Sequence, residues 1–238
     1  MLMIIPQALY GSVGAVLSAL IVVACLVGFT LHGDVFSGTP IKDFFWYYTN
    51  LSNLLVALYF SCIAPVLYAR SALRRFIPFA EFSVTMSILL THTVFHLMIF
   101  PGVRPQLRRF TASSRTRMLA VNNLVVHYVV PWLVLLYYLL CAPRKNAVPL
   151  IAAPLWLLFP LAYSLVIFLH ARSRKAIPGT QRLYPYPFMD IPLLGQKRVA
   201  LTCAGLAAIC ALSSVAIQLI VRALYALLGG GKALVLVG

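Results

Sequence analysis

Residues 44–60 read FFWYYTNLSNLLVALYF: an aromatic collar, then Thr49, Asn50, Ser52 and Asn53 within five positions, then an unbroken apolar run. Extended to Ala69, the stretch exceeds the ~20 residues that a helical crossing of a bilayer requires. Its start, Phe44 to Tyr48, has the composition of the belt that seats a helix end at the membrane interface. Thr49, Ser52 and Asn53 are spaced by three and four residues and share one helical face, whereas Asn50 points about 100° away. A polar stripe inside a crossing faces protein or a cavity rather than lipid.

The surroundings agree with a membrane setting. The chain of 238 residues is 62% hydrophobic and 10% charged, with mean hydropathy +0.95, outside the range of soluble domains. Six apolar segments run roughly 8–31, 44–69, 78–100, 118–141, 148–169 and 199–221. The expected fold class is an all-α integral membrane bundle of six transmembrane helices in a single domain over 1–238. The first segment is expected to remain in the protein rather than act as a cleaved leader, because its apolar run is too long. Within it Gly11 and Ala15, and Gly14 and Ser18, have the small-xxx-small spacing that lets helices approach closely. Glu81 is the one acid inside a segment, near an end where it can face water or a partner.

A net charge of +15 invites a nucleic-acid reading, but the 19 basic residues sit almost wholly between apolar segments, where attraction to an anionic bilayer accounts for them. Twelve fall in connections one, three and five, including Arg104, Arg108 and Arg109, against seven on the other side. The positive-inside rule then places those three connections in the cytoplasm and both termini outside. The five cysteines lie in or beside helices with no CxxC or Cys/His spacing and read as small apolar fillers.

Antiparallel helices allow depths to be compared by counting. Thr49 lies roughly 8 Å into the second helix and His127 roughly 14 Å into the fourth, from the same face, at 1.5 Å per residue. His92 and His96 precede the end of the third helix by about eight and four residues, which brings them to that face too, as are Asn122 and Asn123. Pro131 follows His127 by four, so it cannot donate to the His127 carbonyl, and a kink is expected there. Two chemistries compete for the cluster. His92 and His96 have metal-compatible spacing, but with no HExxH glutamate and only His127 as a third ligand, no metal site is expected. The other chemistry is nucleophilic catalysis, with His127 taking the Thr49 hydroxyl proton and with spare N–H groups of the helix start, Asn53 or Ser52 stabilising an oxyanion.

Several motifs in order, YYTNLSN, TVFHL, NNLVVHYVVP, PLAY and LYPYPFMD, spanning residues 44 to about 195, resemble the androgen-induced-protein-like superfamily of six-helix membrane proteins, particularly its bacterial branch. The resemblance implies a membrane threonine hydrolase: animal members cleave fatty acid esters of hydroxy fatty acids with one Thr and one His, which fall by motif on Thr49 and His127. Tyr184, Tyr186 and Phe188, with two prolines, make a stiff aromatic segment that serves either as an interfacial anchor or as a cap on the cavity. Asp190 is expected to pair with loop arginines or to orient a histidine.

The function expected is therefore intramembrane hydrolysis of lipid esters, with Thr49 and His127 catalytic and Asn50, Ser52, Asn53, His92, His96, Asn123, Tyr184, Tyr186 and Asp190 supporting or binding. The alternatives are a non-catalytic lipid or small-molecule binder or transporter, though the halves show no convincing repeat, and a heme or metal protein using the three histidines. No cofactor is expected; membrane lipids and a lipid ester are the expected partners.

Overall fold

A computed structural model describes residues 7–33, 42–99, 114–142 and 145–227, and these are almost entirely helical. Arg104, Arg108 and Arg109 lie outside them. Among the described residues six helices are long and apolar enough to cross a membrane: α1 (Gly11–His32), α2 (Tyr48–Ala69), α3 (Ser71–Ile99), α4 (Arg117–Leu140), α5 (Ala153–Arg172) and α6 (Gln196–Leu224). The chain is thus an all-α, multi-pass membrane bundle.

The ends differ from the sequence expectation where prolines and aromatics act. Phe44–Trp46 form a separate 3-10 turn and α2 begins at Tyr48, so all of the collar except Tyr48 lies outside the crossing. In α3 a 3-10 turn over Ser71–Phe76 precedes the regular helix, which starts at Ile77 with Pro78 in its first turn, where a missing N–H costs nothing. Three π-helical turns interrupt the crossings, at Tyr59–Ile63, Phe95–Ile99 and Val125–Val129. The first and third end two residues before Pro65 and Pro131. A proline ring clashes with the carbonyl four residues back, and widening the turn ahead of it relieves that contact.

The helices α1 to α4 pack around a core of Ile21, Cys25, Val56, Ile88, Val130 and Val134, all fully or almost fully buried. The first turn of α5, Ala153–Leu157, sits against both α3 and α6, and a second core there gathers Phe82, Tyr138, Trp156 and Ile167. Glu81 faces neither water nor lipid: it is buried near the start of α3, where its Oε1 accepts from Tyr68 Oη (2.9 Å) and Tyr137 Oη (3.3 Å). The two phenols replace part of the water that a carboxyl group loses on burial, since both serve Oε1 and Oε2 has no hydrogen-bond partner among the described residues. The opposite face, where α2 and α4 begin and α1, α3 and α5 end, carries the polar stripe.

Candidate active site

The first turn of α2 aims Thr49 at α4. Thr49 Oγ1 lies 3.2 Å from His127 Nε2. His127 Nδ1 lies 3.1 Å from the carbonyl of Asn123, one turn back in the same helix. A carbonyl only accepts, so Nδ1 carries the proton, and the Nε2 of the neutral ring is left as acceptor for the threonine hydroxyl. The Asn123 carbonyl thus orients the imidazole, in the position a carboxylate takes in a catalytic triad, whereas the Asn123 side chain lines a cavity. Phe95 stacks on the imidazole at 3.7 Å between ring centroids. Both Phe95 and His127 stand on π-helical turns, a widening often found at functional sites.

His92 acts on this arrangement from behind. Its Nδ1 donates to the His127 carbonyl at 2.7 Å, filling the acceptor that Pro131 cannot serve. His96 is on the exposed flank, 3.0 Å from Tyr128 Oη, and does not enter the site. The three histidines therefore do not converge. Among the described residues no three His, Cys, Asp or Glu side chains come together in the way a metal ion needs.

The rest of the stripe divides by task. Ser52 is fully buried and bridges α2 to α3, 2.7 Å from Thr91 Oγ1 and 3.0 Å from the Thr49 carbonyl. Asn53 Nδ2 donates to the Thr49 carbonyl (2.8 Å) and the Val126 carbonyl (3.3 Å), so both its hydrogens are committed. Neither is placed to serve an oxyanion; they hold α2, α3 and α4 in register. Asn50, off the stripe, donates to the Phe44 carbonyl (2.9 Å) and sits 3.2 Å from His32 Nε2 at the end of α1. His32 in turn lies 3.8 Å from Asp43. Sequence reasoning missed His32 and Asp43, since no spacing links them to Thr49; their only local signal is that two of few polar residues flank one connection.

The segment after α5 brings a further hydroxyl to Thr49. Tyr186 folds over the start of α2, where its hydroxyl accepts from the Thr49 N–H (3.2 Å) and lies 3.4 Å from Thr49 Oγ1. Its ring stacks on Phe188 with centroids 5.4 Å apart and planes within 7°. Burial pushes the Tyr186 hydroxyl up from its ordinary range, against the opposing effect of the Thr49 contacts, so the group stays protonated and available as a donor. Tyr184 instead packs on Phe168, away from the threonine. Among the described residues Asp190 neither pairs with an arginine nor meets a histidine: it caps the short helix Ile191–Leu194, accepting from the Leu193 N–H at 3.1 Å.

Thr49 lies between two cavities. One, of about 510 Å³, is bordered by His32, Asn50, Asn122, Asn123 and Arg182. The other, of about 70 Å³, is bordered by Leu90, Val94, Tyr163, Ser164 and Leu206. Fold and site together define a polytopic membrane protein with a threonine–histidine pair set between an apolar and a partly polar cavity. The chain matches no family model, no curated protein and no solved structure.

Proposed function

We propose that this protein hydrolyses lipid esters within the membrane, with Thr49 as nucleophile and His127 as general base. The observation that carries the reading is the 3.2 Å approach of Thr49 Oγ1 to an imidazole nitrogen whose tautomer the Asn123 carbonyl fixes. Placement in a bilayer favours substrates that diffuse laterally, and the motif resemblance to threonine hydrolases of fatty acid esters supports the same class.

In the proposed reaction, Thr49 Oγ1 attacks the ester carbonyl while His127 Nε2 takes its proton. The charge developing on the carbonyl oxygen is met by the Tyr186 hydroxyl, which turns from Thr49 toward it, and by the Thr49 N–H, released from Tyr186 by the same turn. Collapse of the intermediate expels the alcohol, which takes the proton from His127 and leaves an acyl group on Thr49. Water then attacks that ester by the same route, giving the free acid and restoring the threonine. If the chain is bacterial, the plasma membrane is its expected location.

The test compares wild type, Thr49→Ala and His127→Ala in detergent with methylumbelliferyl and lipid esters. Turnover by wild type, with both variants reduced to about a thousandth or less, is expected. A wild type that hydrolyses none of them, or a Thr49→Ala protein with full turnover, overturns the reading in favour of a binding or transport protein. A fluorophosphonate that labels wild type and not Thr49→Ala gives the same answer from covalent chemistry.

A further inference from the structure

Two cavities meeting at one nucleophile raise the question of which part of an ester occupies each. They share Thr49, Phe95, Ile99 and Tyr186 as a common wall, so an ester carbonyl at Thr49 Oγ1 sends one substituent into each. Their sizes differ greatly. The slot, about 70 Å³, has roughly a seventh of the volume of the other cavity and is below the size that encloses a whole ligand. The 510 Å³ cavity is of the size that encloses whole small ligands.

Their walls differ as well. The slot is lined mainly by aliphatic and aromatic side chains, from α2, α3, α5, α6 and the connection that carries Tyr186, with Thr49, Thr91 and Ser164 among them, and its outer residues Val94, Ser164 and Leu206 are half-buried. The main-chain contact of α5 with α6 is concentrated at the first turn of α5, Ala153–Leu157, at the other end of the helix from the site. Beyond that turn the slot lies between the two helices, on the flank where lipid surrounds the bundle. The large cavity, beneath the connection that carries Tyr186, adds amides, His32 and Arg182 to apolar walls that include Met98, Leu119 and Val126.

Building on the hydrolase reading, we infer that the slot between α3, α5 and α6 is the acyl subsite. It takes the first carbons of an unbranched chain, lets the remainder run out into the bilayer, and leaves the large cavity for the alcohol portion. Three consequences follow. Branching next to the acyl carbonyl has no room, because Leu90, Val94 and Tyr163 close on the first carbons. Lengthening the chain beyond the slot changes little, since the tail never leaves lipid. Branching in the alcohol is tolerated.

The first test measures kcat/KM for methylumbelliferyl octanoate and for the ester of its ethyl-branched isomer, each divided by its rate with hydroxide. Expected is a preference for the straight chain of about a hundredfold, the upper range for small apolar differences. Octanoate esters of straight and branched octanols are expected to differ by less than about tenfold. Leu206→Trp, which fills the slot, is expected to lower the octanoate-to-acetate ratio by about tenfold. Equal tolerance of both acyl isomers, rejection of the branched alcohol, or an unchanged ratio in Leu206→Trp overturns the assignment.

The second test does not need turnover. Thr49→Ala is irradiated with palmitate carrying a diazirine near its carboxyl end, and the label is mapped by mass spectrometry. Label on peptides containing Val94, Ser164 or Leu206 is expected; label on Asn122, Asn123 or Arg182 overturns the inference. If wild type turns over no ester, the hydrolase reading falls by itself, and the position of the label still decides whether the slot binds acyl chains.

Discussion

Replacing Tyr186 by Phe deletes one oxygen atom and leaves the ring that stacks on Phe188 and meets Tyr47 edge-on. That oxygen accepts from the Thr49 main-chain N–H at 3.2 Å and faces Thr49 Oγ1 at 3.4 Å. Loss of one preorganised oxyanion donor costs about 2.7–4 kcal/mol of transition-state stabilisation, or roughly 10²–10³ in kcat. KM is expected to stay close to wild type, because the donor engages charge that exists only in the transition state. The fold loses less: the Thr49 N–H is left without its acceptor at a half-buried position, at a cost of about 1–3 kcal/mol. The assay is steady-state hydrolysis of methylumbelliferyl octanoate by purified Tyr186→Phe, with Phe188→Leu as a control that removes the stacking partner and keeps the hydroxyl. Turnover of Tyr186→Phe within about threefold of wild type, or a rise in KM with kcat unchanged, refutes the donor role.

The same hydroxyl gives a pH prediction. Its folded value lies above its ordinary 10.0, so its contribution to stability is complete below that pH and is lost as pH rises through the folded value. Melting curves of wild type are therefore expected to fall more steeply above pH 10 than those of Tyr186→Phe, and parallel curves count against it. At Gly28 of α1 an added Cβ meets Val126 Cγ1 at 2.5 Å, and the β-branched valine has little freedom to move. Gly28→Ala is expected to cost about 1–3 kcal/mol by overpacking, read as a lower Tm, with reduced turnover because Val126 precedes His127. His92→Phe strands the His127 carbonyl; kcat is expected to fall about tenfold at unchanged KM, the signature of a group that positions the base rather than binding substrate.

Much of the architecture was legible because it depends on local, one-dimensional quantities. Crossing a bilayer requires a run of apolar residues of fixed minimum length, so hydropathy alone marked six helices. The helical repeat put Thr49, Ser52 and Asn53 on one face, and counting residues from a common face brought Thr49 near the depth of His127. Pro131 marked a carbonyl needing another donor, because a missing N–H is a property of that residue wherever it sits. The tasks within the stripe were not legible. Helical spacing gives a direction but no distance, and only distances show Asn53 with both hydrogens spent on carbonyls and Ser52 committed to Thr91.

The sequence by itself determined the class of protein, its number of crossings and the face of α2 that turns inward. The hydrophobic demand of the bilayer and the period of the helix act on consecutive residues, so no partner need be known. Tertiary structure alone decided that Tyr186, 137 residues from Thr49, lays its hydroxyl on that threonine, and that a main-chain carbonyl rather than a side chain orients His127. It also decided that Asn50 ties α2 to His32, and that the two cavities at Thr49 differ so widely in volume. These features arise where helices distant in sequence meet, and a hydrogen bond or a cavity wall exists only once both sides are in place.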